Sequence, residues 1–139
     1  MKPIVRNALA TLAGFIASNA TMLGVTLLNL WLYPDLMGAV EADDPALIQA
    51  EAAKPGASGA LVVVLVAWLV AGAVGGFLAT RLAAARSRVP ALLVGGLMTV
   101  GAVINNLTYP PPLWFWILTP FAFLPTAMLA ASRASRPAP

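Results

Sequence analysis

The 139-residue sequence predicts an all-α membrane protein: a four-transmembrane-helix bundle with both termini cytoplasmic and a short external interfacial helix. Three observations predict it. Hydrophobic residues make up 60% of the chain and charged residues only 9%, outside the range of ordinary soluble domains. The apolar residues fall into four stretches, each long enough to cross a bilayer core of about 30 Å. The charges lie between these stretches and are sorted by sign.

The first stretch, 4–33, would be about 45 Å long as a helix at about 1.5 Å per residue, so it must tilt or project beyond the lipid. The others, 59–80, 91–109 and 113–131, are just long enough to cross. Helices are the default because lipid offers backbone amides no partner. Lys2, Arg6 and the segment Ser18-Asn19-Ala20 imitate a cleaved signal peptide, but the apolar run continues to Tyr33 and a retained span is expected.

Every Lys and Arg except Lys54 flanks the spans on one side. Lys2 and Arg6 precede the first span, Arg81, Arg86 and Arg88 join the second to the third, and Arg133 and Arg136 follow the fourth. All five acids lie with Lys54 in the loop 34–58 on the other side. Short basic loops stay cytoplasmic, which places both termini inside. This sorting also disposes of nucleic acid as a partner, despite a pI near 10.0, because no basic face is formed.

In the external loop, Asp44 is a candidate N-cap, Pro45 a first helical residue and Pro55-Gly56 a stop, which predicts one short surface helix. The tail 132–139 is expected to be unordered. The whole chain is expected to form a single membrane domain.

Within the spans, helices should meet through small residues and scattered polar groups. Gly14 and Ser18 mark such a face on the first span, Gly72, Gly75 and Gly76 on the second, and Gly95 and Thr99 on the third. Polar residues fall at two depths, with Asn19 and Trp68 near the midplane and Asn29, Asn105 and Asn106 near the external end. These are read either as a path or pocket or as interhelical hydrogen bonding. Tyr33, Tyr109, Trp114 and Trp116 fit an outer aromatic belt. Trp68 lies too deep for that belt, and its indole N–H should face another helix or subunit. Pro120 and Pro125 should bend the fourth span, with Thr119 or Thr126 satisfying freed backbone groups.

No Cys and no His are present, and no Asp, Glu or Lys lies inside a span. Thiolate and imidazole metal sites, nucleophile activation and proton relays therefore lack their residues, and neither a cofactor nor an enzymatic activity is expected. The expected role is structural or accessory, through helix interfaces with membrane lipid, other membrane-protein subunits or further copies of itself. The alternative is a small oligomeric channel or transporter for a neutral or small solute.

Four segments carry a resemblance: "LYP" at 32–34, "DPALIQA" at 44–50, "AWLVAGAVGGFLATRLA" at 67–83 and "YPPPLWFW" at 109–116. Together they resemble a family of small, uncharacterised bacterial four-helix inner-membrane proteins. The resemblance implies the topology and a bacterial inner-membrane location, and no activity. It also implies departures. Where relatives carry Glu and then Gly-His before the Tyr-Pro of the first span, this chain has Thr26, Asn29 and Leu30. Where they carry His between prolines, it has Pro111. An outer ionisable cluster in relatives is thus neutral here.

Overall fold

The computed structural model describes residues 1–136, and all the regular structure among them is helical. Four helical stretches are long and apolar enough to cross a membrane: Pro3–Leu32, Ser58–Leu82, Val89–Thr108 and Leu113–Ala134. The first three are α1, α4 and α5; the last is broken into α6 (Leu113–Ala122) and α7 (Leu124–Ala134). Two short helices, α2 (Pro34–Glu41) and α3 (Pro45–Ala52), occupy the loop between α1 and α4. The sequence predicted one helix there, and α2 is the addition. Pro34 both ends α1 and starts α2, since a proline excludes the preceding residue from helix yet suits a first helical position. The Asp44 carboxylate accepts from the Ala46 and Leu47 amides at 2.9 and 3.3 Å, so α3 begins on the expected cap.

The acidic end thus holds α2 and α3, and the basic end holds both chain termini. At the basic end, side chains tie the turn after α4 in place. Arg6 donates from Nε to the Leu82 carbonyl at 2.9 Å, satisfying one of the acceptors left open where a helix ends. The Asn7 side-chain oxygen accepts from the Ala84 amide at 2.9 Å. These bonds hold a turn in which Ala85 and Arg86 take left-handed φ values of 50° and 52°, unfavourable for residues with a Cβ. Arg86 reaches the Arg136 carbonyl at 2.6 Å and Arg88 the Ser135 hydroxyl at 3.0 Å. The expectation of an unordered tail from 132 is corrected here. α7 continues to Ala134, because Ala131 and Ala134 are fully buried and continue its packing face. The remainder of that tail, 137–139, lies outside the described residues.

α4 packs against α1, α5 and α7, and is the most apolar of the four stretches, with a mean hydropathy of 2.6. Glycine permits its closest approaches. A Cβ on Gly76 would lie 2.5 Å from both Cα and O of Ala127 on α7. One on Gly14 would lie 2.6 Å from the Gly75 carbonyl, and one on Gly95 would lie 2.9 Å from Leu124 Cα. Such proximity maximises dispersion contact where lipid supplies no hydrophobic drive. Ser18 adds a buried hydrogen bond from Oγ to the Ala71 carbonyl at 2.9 Å.

Phe123 marks the break between α6 and α7, three residues after Pro120 and two before Pro125. Thr126 donates from Oγ1 toward the carbonyls of Ala122 and Phe123, satisfying backbone groups at the break. Thr119 has a different task. It bonds the Phe115 carbonyl at 2.9 Å within its own turn and receives Asn106 Nδ2 at 2.7 Å.

Candidate functional site: a blind outer chamber

The close glycine contacts between membrane-spanning helices lie in the half of the molecule nearer the basic end, while at the acidic end Gly59 meets the Tyr33 side chain. Toward the acidic end, α1 and α5 part. Asn19 is the last polar link between them, its Nδ2 bonding the Phe15 carbonyl at 2.8 Å and standing 3.6 Å from Met98 Sδ on α5. Beyond it a cleft of about 460 Å³ opens between α1 and α5, reaching from Phe15 and Leu97 to Asn29 and Asn105. A Cβ on Gly101, in the cleft wall, or on Gly24 would meet nothing within 4 Å.

Continuous with the cleft is a chamber of about 220 Å³ beneath α2 and α3. The two share Asn29, Met37, Val40, Val64, Trp68 and Asn105. Ile48 and Ala52 of α3 face into the chamber, while Leu47 is 48% exposed. Pro110, Pro111 and Pro112 form part of its rim, so the proline turn is a wall as well as a helix break. The Tyr109 hydroxyl donates to the Asp43 carboxylate and ties this turn to the loop between α2 and α3.

An aromatic cluster closes the bottom. Trp68 is 4% exposed, and its ring centroid lies 5.2 Å from Phe115, edge to face, and 5.3 Å from Phe123. Separations of this kind favour aromatic pairs beyond simple burial. Trp68 therefore faces other helices as expected, although its indole N–H makes no hydrogen bond within the chain. The lining reaches no nearer the basic end than Phe15, Leu97 and Phe123, where the cleft meets the close-packed half. The space is blind.

Gly14, Ser18, Gly72, Gly75, Gly76 and Gly95 are all buried against other helices of the same chain. Thr99 is half-buried and bonds the carbonyl of Gly95, one turn back on its own helix, at 2.8 Å. The outer amides do not meet one another. Asn106 pairs with Thr119, and Asn29 donates to the Ala60 carbonyl at 3.3 Å. Asn105 is exposed at the chamber wall with no hydrogen bond from its side chain. Of the belt aromatics, Trp114 is 36% exposed, Tyr33, Tyr109 and Trp116 are half-buried, and the Tyr33 hydroxyl lies over Gly59. A pocket is one of the two readings of the polar residues, and Asn29, Trp68, Asn105 and Asn106 do line the chamber, but its place beneath α2 and α3 is not expected from the sequence. Its signal was the uneven distribution of glycine: tightly spaced small residues near the basic end, and amides with larger apolar residues toward the other.

The electrostatics are sparse. Lys54, on the acidic surface, is held above its ordinary pKa chiefly by its 2.6 Å hydrogen bond to Glu51, against a smaller opposing effect of desolvation. Among the described residues no group of His, Cys, Asp or Glu is placed to hold a metal ion. The chamber can thus offer apolar surface and neutral hydrogen-bonding groups. The chain matches no family model, no curated protein and no solved structure.

Proposed function

We propose that this is a non-catalytic protein of the bacterial inner membrane, with both termini cytoplasmic, that acts by non-covalent association as a structural or accessory subunit. The observation that carries the reading is the blind chamber over a close-packed half. A single chain offers no continuous path for a solute, and its membrane interior holds no ionisable group to relay a proton. This favours association over the channel alternative. The four-helix bundle is self-contained at its glycine faces, which are consumed within the chain. The surface left for a neighbour is the α1–α5 side, where Gly24 and Gly101 are open and Asn19, Thr26 and Asn105 are exposed. The partner is a further copy or a larger membrane complex.

Native mass spectrometry after extraction in mild detergent, paired with solute flux in liposomes, tests the role. The expected outcome is a defined homo-oligomer or a defined complex, without flux. A lone monomer that conducts would overturn it.

The orientation has its own test, helped by the lack of cysteine. A single Cys placed at Ser87 is expected to resist a membrane-impermeant thiol reagent in intact cells, and one at Gln49 to react. The reverse pattern would refute cytoplasmic termini.

A further inference from the structure

Asn29 sits one turn inside the outer end of α1, in the wall shared by the chamber and the cleft, and is 2% exposed. Its Nδ2 is occupied by the long bond to Ala60, but its Oδ1 is enclosed and accepts no hydrogen bond. A buried acceptor without a donor has lost its water and gained nothing in return, and native structures rarely leave one so. Among the described residues two buried side-chain atoms lack a partner, Asn29 Oδ1 and Thr80 Oγ1, and of these Asn29 is the one that lines the chamber and the cleft. Asn105 and Gln49, exposed at the same wall, make no side-chain hydrogen bond within the chain, and neither does the Trp68 N–H, so all three remain free to meet a ligand. The remaining lining is chiefly apolar, with Leu61, Val64 and Phe115 typical.

These features define what fits. The missing partner of Asn29 Oδ1 is a donor. The ligand is neutral, because the chamber wall carries no charged side chain and an unpaired buried charge is very costly. Most of its body is apolar, to match the lining. The cleft between α1 and α5 opens sideways at the depth of the apolar spans, so a molecule dissolved in the outer leaflet reaches the chamber without crossing water. We propose that the chamber is a binding site for a neutral hydroxyl-bearing amphiphile, a long-chain or isoprenoid alcohol or a phenol-headed lipid. It enters through the cleft, and a turn of the Asn29 side chain, which lines both spaces, brings the enclosed Oδ1 round to accept from its hydroxyl. Asn105 lies at the entrance, and Trp68 forms the floor. The entrance lies on the α1–α5 side assigned above to a neighbour, so ligand entry and association compete for it, and the binding test below uses the purified chain alone.

Trp68 provides the readout. Replacing Trp31, Trp114 and Trp116 with Phe leaves it as the sole tryptophan, in contact with both spaces. The purified full chain in lipid nanodiscs is titrated with ω-bromoundecanol, a heavy-atom quencher that carries the hydroxyl, and separately with bromoundecane, which lacks it. Saturable quenching by the alcohol, reversed by unbrominated undecanol, is expected. Bromoundecane should bind about five- to tenfold more weakly, the worth of one net hydrogen bond. Asn29→Leu should reduce the alcohol to the level of the alkane. The comparison of the two probes with Asn29 intact stands even where that variant fails to fold. Quenching that rises linearly and equally for both probes means simple partitioning into lipid and overturns the site. Saturable binding without preference, or a preference that survives Asn29→Leu, overturns the assignment of the hydroxyl to Asn29.

Discussion

Gly76→Leu is expected to be one of the two most damaging single substitutions on α4. The first atom it adds would lie 2.5 Å from the Ala127 backbone on α7, and a backbone cannot rotate out of the way as a side chain can. The two helices must separate, taking with them the packing of Gly72 against Phe123 and Thr126. Overpacking typically costs about 1–3 kcal/mol, and a clash of backbone with side chain in a helix crossing belongs at or above the upper end. Gly96→Leu is the matched control. It adds the same bulk on α5 where a Cβ would meet nothing within 4 Å, and should shift stability by about 0.5 kcal/mol or less. Unfolding of both variants in detergent checks the pair, and equal stabilities would contradict the assigned contact.

Trp68→Ala is expected to destabilise by about 3–5 kcal/mol, the range for removing a buried large aromatic. It strips Phe115 and Phe123 of their shared partner and leaves the chamber without its floor. Trp68→Phe keeps an aromatic ring in the cluster and should lose about 1 kcal/mol, since part of the contact remains. Thermal unfolding in detergent distinguishes the two variants. A loss below about 1 kcal/mol for the Ala variant would mean that Trp68 lines the chamber without supporting it.

The four membrane stretches were legible because hydropathy and length are local properties. Charge sorting was legible for the same reason, and the structure gathers the basic flanks at the end that carries both termini. The helix at 45–52 announced itself through Asp44 and Pro45, a cap and a start written in adjacent residues. α2 was not legible. Its sequence, Pro34 to Glu41, is short, contains Gly38 and follows directly on a long apolar run, so nothing local separates it from the loop. The small-residue faces could be read from their spacing, but their partners could not. That Gly76 meets Ala127 and Gly14 meets Gly75 depends on how four helices are arranged, and a face reserved for a neighbour looks the same in sequence as one consumed internally. The position of the chamber was invisible for a related reason. An absence of packing between the outer parts of α1 and α5 has no residue of its own, and Asn29 and Asn106, near the same end, each bond a different partner.

The central position of α4 has a consequence for the order in which the protein is made. Synthesis proceeds from the N-terminus, and α1 and α4 can pair as a hairpin as soon as both have entered the bilayer. The opposite face of α4, carrying Gly72 and Gly76, then has to wait for the last stretch of the chain, because its partner is α7. Until that stretch arrives, the nascent protein presents to lipid a groove shaped for a helix it does not yet possess. A ribosome stalled after α5 would leave that groove unfilled, exposing a defined surface to membrane chaperones and proteases.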